Sequence, residues 1–363
     1  MRYDEAMLAR TLSVTALVGV ALTPLALACG SDAPSPNDAN EAADAASLDV
    51  GAPPETPEAG GMDVATGPDG ATGGPCVVDT NPGHHLFECD GIKYDLETPP
   101  ICTGGGCGVV LDVHGLTMTA DQEDKSTKLR VLGSGHGFVV VQPTAPRGLI
   151  GPSWTPVTDD AKVWAALGAV RAALKVDPER VHVTGFSQGG AMTLRLLCAH
   201  GDEIASAAPV AAADGRSLDG NVPPFRLDCP FDATTKPAAP RSILQMHGTL
   251  DALVPIDKGK LQRDAILAWL GTVTDSVVAS DASFTRTRYA SAAKGVVFEY
   301  VQHGYVVTPP ILPVAIGGHC LPGGDDLRGQ VSGESMFFSC APPNGFVWGE
   351  ILMDFFIAHP RGK

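Results

Sequence analysis

The chain of 363 residues has no basic patch: 25 Lys and Arg stand against 41 Asp and Glu, a formal charge of −16. Binding a phosphate backbone needs clustered cations and is opposed by a negative field, so nucleic acid is excluded as a partner. There is no CxxC pair, and the histidines do not recur at helical ligand spacing, so no metal site is expected. No internal repeat occurs. Between Gly30 and Pro75, Lys, Arg and aromatics are absent, while Asp32, Asp38, Glu41, Asp44, Asp49, Glu55, Glu58, Asp63 and Asp69 make nine acids. A stretch so rich in Ala, Pro, Gly and acid cannot bury enough apolar surface to offset ordering entropy, and a disordered tether is expected.

What is present starts with an apolar run. Thr11 to Ala28 follows Arg10, contains Pro24 and ends in Ala-Leu-Ala before Cys29, which reads as a signal peptide rather than a spanning helix. Asp4 and Glu5 are unusual in such a flank, and a start at Met7 would remove both. Leu-Ala-Leu-Ala-Cys resembles a bacterial lipobox, in which Cys29 would be lipidated after cleavage, although Ala26 stands where leucine is usual. The expected product is exported, either as an outer-surface or periplasmic lipoprotein or freely secreted, and touches a membrane only through the anchor. The domain organisation follows: residues 1–28 as signal peptide, 29–75 as lipobox cysteine and linker, 76–363 as one folded domain. A monomer is favoured.

Cysteine usage agrees with export. Apart from Cys29 there are eight: Cys76, Cys89, Cys102, Cys107, Cys198, Cys229, Cys320 and Cys340. An even number in an oxidising compartment reads as disulfides. Short separations favour Cys76–Cys89, Cys102–Cys107, Cys198–Cys229 and Cys320–Cys340.

An apolar share of 44% with 42 Gly and 30 Pro suits a globular, loop-rich domain. Residues 109–115, 137–144, 180–186, 206–213, 241–247 and 295–302 read as strands, and 160–175, 190–201, 257–270 and 345–359 as helices. Their alternation implies a mostly parallel sheet with helices on both faces, an α/β class. Gly185-Phe186-Ser187-Gln188-Gly189 falls where a strand turns into a helix. This is the G-x-S-x-G elbow, whose glycines permit a tight turn that presents Ser187 as a nucleophile.

Such a serine needs a base and an acid, in the chain order Ser, Asp, His. Asp251 lies just past a strand and His319 in a glycine-rich loop after the next, so His319 is the expected base and Asp251 the group that fixes its tautomer. His247 is a rival base but sits inside a strand end. His303, His359, His84, His85, His136, His182 and His200 have no comparable setting. The oxyanion hole is expected from the backbone N–H groups of Gln188 and Leu116, with Gly115 allowing close approach. Trp154 and His114 are candidates for lining the substrate pocket.

Together His114-Gly115, Asp177-Pro178-Glu179-Arg180-Val181 leading into Gly185 to Gly190, His247-Gly248-Thr249-Leu250-Asp251 with Val254-Pro255, and Gly318-His319 with Pro322-Gly323 resemble the extracellular polyhydroxybutyrate depolymerase and feruloyl or acetylxylan esterase family of α/β-hydrolases. The resemblance covers roughly residues 85–358. It implies cofactor-free hydrolysis of carboxylic esters, with Ser187 as nucleophile, Asp251 as acid and His319 as base. The natural substrate would be a polyester, an ester-decorated polysaccharide or a small ester. Two features depart from that family: Cys320-Leu321 where an aromatic often follows the histidine, and an enlarged approach over His303 to Ile316. The elbow is also shared with acyl-protein thioesterase-like carboxylesterases, which bring the histidine sooner than the 68 residues here. A reading of a different class is a catalytically silent surface lipoprotein that binds a ligand on the same scaffold.

Overall fold

A computed structural model describes residues 76–77, 79–212, 229, 231–232, 235–307, 316–325 and 338–362. The signal segment, Cys29, the linker and residues 308–315 of the approach to His319 lie outside the described residues. The chain divides into Met1–Gly60 and Gly61–Lys363, and the second unit holds every described residue.

The elements run β1 (Gly83–Cys89), β2 (Ile92–Thr98), β3 (Gly108–Val113), α1 (Ala120–Thr127), α2 (Leu129–Gly135), β4 (Phe138–Thr144), β5 (Arg147–Gly148), β6 (Gly151–Pro152), α3 (Thr158–Ala173), β7 (Val181–Phe186), α4 (Gln188–His200), β8 (Ser206–Val210), β9 (Ser242–Gly248), α5 (Ile256–Leu270), β10 (Thr274–Ser280), β11 (Phe284–Ser291), β12 (Val296–His303) and α6 (Trp348–Ala358). Ten strands form one sheet in the order β1-β2-β4-β3-β7-β8-β9-β12-β11-β10. Its middle, from β4 through β3, β7, β8 and β9 to β12, is parallel, and an antiparallel hairpin closes each edge. This is the α/β architecture expected from the sequence.

The central strands are runs such as VHVTGF and SILQMHG, buried at every residue, as strands covered on both faces must be. Alternate residues feed two cores. Val109, Leu111 and Val113 pack with Val163 and Leu167 of α3, Met192 of α4 and Ile266 of α5, while Val110, Val140 and Met246 pack with Leu129 of α2 and Leu352 and Phe356 of α6. Period-two side chains thus sort the helices onto opposite faces. All three loops that carry the candidate site leave parallel strands at their C-terminal ends, the edge where ligands of open α/β sheets collect.

Both edge hairpins lie outside the strands expected from periodicity. The turn at Asp90-Gly91, with φ of 50° and 77°, is a two-residue hairpin signal that would have found β1 and β2. The β10–β11 pair is mostly half-buried or exposed, so it carries no apolar alternation to read.

The eight cysteines lie at disulfide distance in the four pairs that short separations favour. Cα–Cα distances are 5.8 Å for Cys76–Cys89, 5.4 Å for Cys102–Cys107, 5.9 Å for Cys198–Cys229 and 5.1 Å for Cys320–Cys340.

Under the loop that follows β3, two carboxyls are fully buried together. Asp112 accepts from Gln142 Nε2 (2.8 Å) and Thr127 Oγ1 (3.0 Å), and burial pushes it up to about 6 despite these bonds. Burial first, and then the neighbouring Asp112 carboxylate, hold Glu123 of α1 well above the carboxylate range. Folded-state values raised above the unfolded ones favour the native state at low pH, and that contribution is lost as pH climbs from about 4 through about 6 and beyond. Glu123→Gln keeps a neutral side chain at every pH. Its stability relative to wild type should therefore improve as pH rises from about 4 to 8, read from urea denaturation; a gap independent of pH would contradict the assignment.

Candidate active site

Ser187 is the residue between β7 and α4, with φ 53° and ψ −111°, a conformation that non-glycine residues rarely adopt. The backbone around it is too crowded for side chains. A Cβ on Gly185 would stand 2.6 Å from the Val113 carbonyl oxygen, one on Gly190 2.7 Å from that of Val210, and one on Gly189 would collide with the Val113 carbonyl outright. The turn is pinned by the Ser187 N–H donating to Val210 O (2.8 Å) and by Ala191 N–H donating to Ser187 O (3.0 Å). Helix α4 therefore starts at the serine, its N-terminal end facing the spot where negative charge would develop.

Asp251 follows β9. Its Oδ1 accepts the N–H groups of Leu253 (2.9 Å) and Val254 (2.7 Å), and its Oδ2 lies 2.7 Å from His319 Nδ1. A carboxylate can only accept, so Nδ1 carries the proton and Nε2 keeps a free lone pair. The two loops interleave through backbone: Gly318 N–H donates to Leu250 O (2.8 Å), Asp251 bridges Gly317, and a Cβ on Gly317 or Gly248 would collide with the facing carbonyl. The His319 ring packs on Phe186 at 4.7 Å and against Phe338 at 5.7 Å. Contact with Phe186, the residue before Ser187, brings the His319 and Ser187 loops together. Among the described residues no hydrogen bond joins the Ser187 hydroxyl to His319; such bonds are often long without substrate and tighten on binding.

The loop after β3 carries Leu116, the other expected oxyanion donor. A Cβ on Gly115 would stand 2.9 Å from Phe186 Cδ1 and 3.3 Å from Ser187 Cβ, so glycine eases the close approach of this backbone. The half-buried Leu116 donates its N–H to no atom among the described residues, while Thr117 N–H beyond it donates to Pro152 O (2.8 Å). Gln188 heads α4, and its amide side chain is committed: Oε1 accepts Trp154 N–H (3.0 Å) and Nε2 donates to Trp154 O (3.0 Å).

Trp154 and His114, expected as pocket-lining residues, have another place. Both are fully buried, because their polar atoms are used within the frame. Trp154 Nε1 donates to His114 O (2.9 Å), His114 Nδ1 to Gly115 O (2.6 Å), and Ala145 N–H to His114 Nε2 (3.0 Å). Burial lowers His114 to about 4, against the opposing pull of the Gly115 carbonyl, so the ring is neutral at ordinary pH. Gln188, Trp154, His114 and Gly115 form one hydrogen-bonded chain linking the start of α4 to the oxyanion loop. Sequence reading missed the side-chain part of Gln188 here; a long amide at the first turn of a buried helix was the available signal.

The Phospholipase/Carboxylesterase family matches residues 161–289, which include Ser187 and Asp251. NocK of Nocardia uniformis subsp. tsuyamanensis, provisionally named an esterase, is 27% identical over 159 residues, 42% of each chain. The bifunctional acetylxylan esterase/xylanase XynS20E of Neocallimastix patriciarum is 25% identical over 143 residues, 39% of this chain and 19% of the other. Feruloyl esterase B of Piromyces equi is 27% identical over 161 residues, 42% of this chain and 28% of its own. The chain thus spans less than half the length of each of these relatives.

The crowding at the turn has a direct consequence. Gly189→Ala should lower unfolding free energy by about 3 kcal/mol or more, the upper range for overpacking, because its new methyl meets backbone that cannot swing aside. A denaturant midpoint within error of wild type would contradict the packing.

Proposed function

We propose, from the premise that the chain is an α/β-hydrolase whose matched relatives are esterases, that it is an exported serine carboxylic-ester hydrolase working through an acyl-enzyme. The observation that carries this reading is the 2.7 Å contact of His319 Nδ1 with Asp251 Oδ2, which leaves Nε2 as a base beside the strained turn at Ser187. In the first half-reaction Ser187 Oγ bonds to the ester carbonyl carbon while His319 Nε2 takes the hydroxyl proton. The oxyanion is held by the N–H groups of Gln188 and Leu116. The carbon–oxygen bond to the alcohol then breaks, and His319 returns the proton to the departing oxygen. Water repeats the sequence on the acyl-serine, releasing the carboxylic acid and free Ser187. Asp251 keeps its contact with Nδ1 and stabilises the imidazolium that forms twice per turnover.

Export rests on the signal-like segment ahead of Cys29 and on eight paired cysteines. The named activities of two relatives favour acetylated or feruloylated polysaccharide as substrate class. A second reading, a general carboxylesterase or acyl-thioesterase of the same fold, draws on the Phospholipase/Carboxylesterase match over residues 161–289. Acetylxylan, methyl ferulate, polyhydroxybutyrate and short acyl thioesters assayed side by side separate the two.

The mechanism requires Ser187. Ser187→Ala should lower kcat for p-nitrophenyl acetate by on the order of 10⁴ to 10⁶ with KM little changed, and adding His319→Ala should cost little more, because the three groups act as a unit. A variant that keeps more than about a tenth of the activity would sink the mechanism. For the anchor, Cys29→Ala should move the protein from the detergent phase to the soluble exported fraction; an unchanged partition refutes lipidation.

A further inference from the structure

A second imidazole stands at the acid. His247, on β9, is wholly buried, and its Nε2 lies 2.7 Å from Val254 O and 3.5 Å from Asp251 Oδ2. Both neighbours are acceptors, so Nε2 carries the proton and directs it mainly to the carbonyl while facing the carboxylate. Val254 in turn gives its own N–H to Asp251 Oδ1 at 2.7 Å. A ring of contacts closes: strand β9, its imidazole, the Val254 peptide, and the carboxylate that follows the same strand. His247 Nδ1 has no hydrogen-bond partner, and a Cβ on Gly259 of α5 would collide with it, so no acceptor is there to take a second proton. The charged or titratable groups facing the ring are Asp251 and His319 on their loops and His303 on β12; α5 contributes Gly259 to the contact. Burial holds the ring below the ordinary imidazole range, against the Val254 carbonyl and the Asp251 carboxylate.

We propose that His247 is a positioning residue for the ester hydrolysis: an Nε2-protonated imidazole that grips the Val254 peptide and backs the Asp251 carboxylate, so that Oδ2 stays on His319 Nδ1. This rests on the reading of Ser187, His319 and Asp251 as a triad. A triad acid on a loop can drift by tenths of an ångström, and the base follows it; His247 ties that loop to the sheet at the point where the drift would begin. A core histidine that merely filled space would not need its one proton aimed at both the Val254 carbonyl and the Asp251 carboxylate.

Two amides of similar polarity test the role. In His247→Gln the side-chain nitrogen reaches the place of Nε2, whereas in His247→Asn it stops near Nδ1. With competent sites counted by the burst of a p-nitrophenyl ester, Gln should retain kcat within about threefold of wild type. Asn should lose about 10-fold or more, the range of one hydrogen bond at a charged group, with KM within about twofold. The acid limb of kcat/KM should also move to higher pH in Asn, because a carboxylate short of a donor holds the imidazolium proton more firmly. Equal losses in both variants, or an Asn variant of lower thermal stability but unchanged kcat per site and unchanged pH profile, would overturn the proposal. Histidine ¹⁵N NMR of the wild type tests the proposal independently, even where a variant fails to fold: the neutral His247 ring must be Nε2-protonated, and an Nδ1-protonated ring overturns it. If Ser187→Ala abolishes activity and His247→Asn changes nothing, this proposal alone fails; if Ser187→Ala stays active, the triad reading fails instead.

Discussion

One reversal of backbone governs the C-terminal edge of the sheet. Strand β7 must become helix α4 at Ser187, with φ of 53°, in a space where the carbonyls of Val113 and Val210 leave no room for a Cβ on either side. Once that turn is made, the neighbouring loops have little freedom. The β3 loop approaches closely at Gly115, the Phe186 ring becomes a wall for His319, and α4 begins directly after the serine. The strain at Ser187 is held by parallel strands buried on both faces, which explains why the site sits at the middle of the sheet and not at its hairpin edges.

Charge is rationed around this turn. Asp251 is the buried acid that gathers donors, with two backbone amides on one oxygen and the His319 imidazole on the other. The nearby histidines 114 and 247 are kept below the imidazole range by burial. His319 is thus the imidazole whose Nδ1 faces a carboxylate, while His114 and His247 direct a ring N–H at backbone carbonyls. Asp112 and Glu123 act below the oxyanion loop in the opposite sense, as carboxyls whose charge burial disfavours. Under the proposed mechanism such a site would move protons at a single imidazole, with the frame around it electrically quiet.

Much of this was legible in the sequence, and the reason differs from element to element. Central strands such as Val181–Phe186 and Ser242–Gly248 announce themselves because burial on both faces demands apolar, β-branched runs. The candidate site residues stand out because the proposed chemistry tolerates few alternatives: Ser187 needs glycines around it, and Asp251 and His319 need loops after strands. What stayed hidden depends on tertiary contact. Trp154 and His114 look like pocket aromatics in the sequence, and only the hydrogen bonds to Gln188, Gly115 and Ala145 reveal them as frame. His247 reads as a misplaced base until Val254 and Asp251 are seen folded back upon it. The hairpins β1–β2 and β10–β11 escaped because edge strands carry little apolar periodicity.

The account stands on Ser187 being the nucleophile made reactive by its turn. Incubating the folded protein with an organophosphonate ester and mapping the modified peptides by mass spectrometry tests this most directly. The account predicts a single phosphonyl group per chain, on the peptide that carries Gly185 to Gly190 and at Ser187, with hydrolysis lost in step with labelling. Label on any other residue, or full hydrolytic activity after Ser187 is stoichiometrically modified, would contradict it.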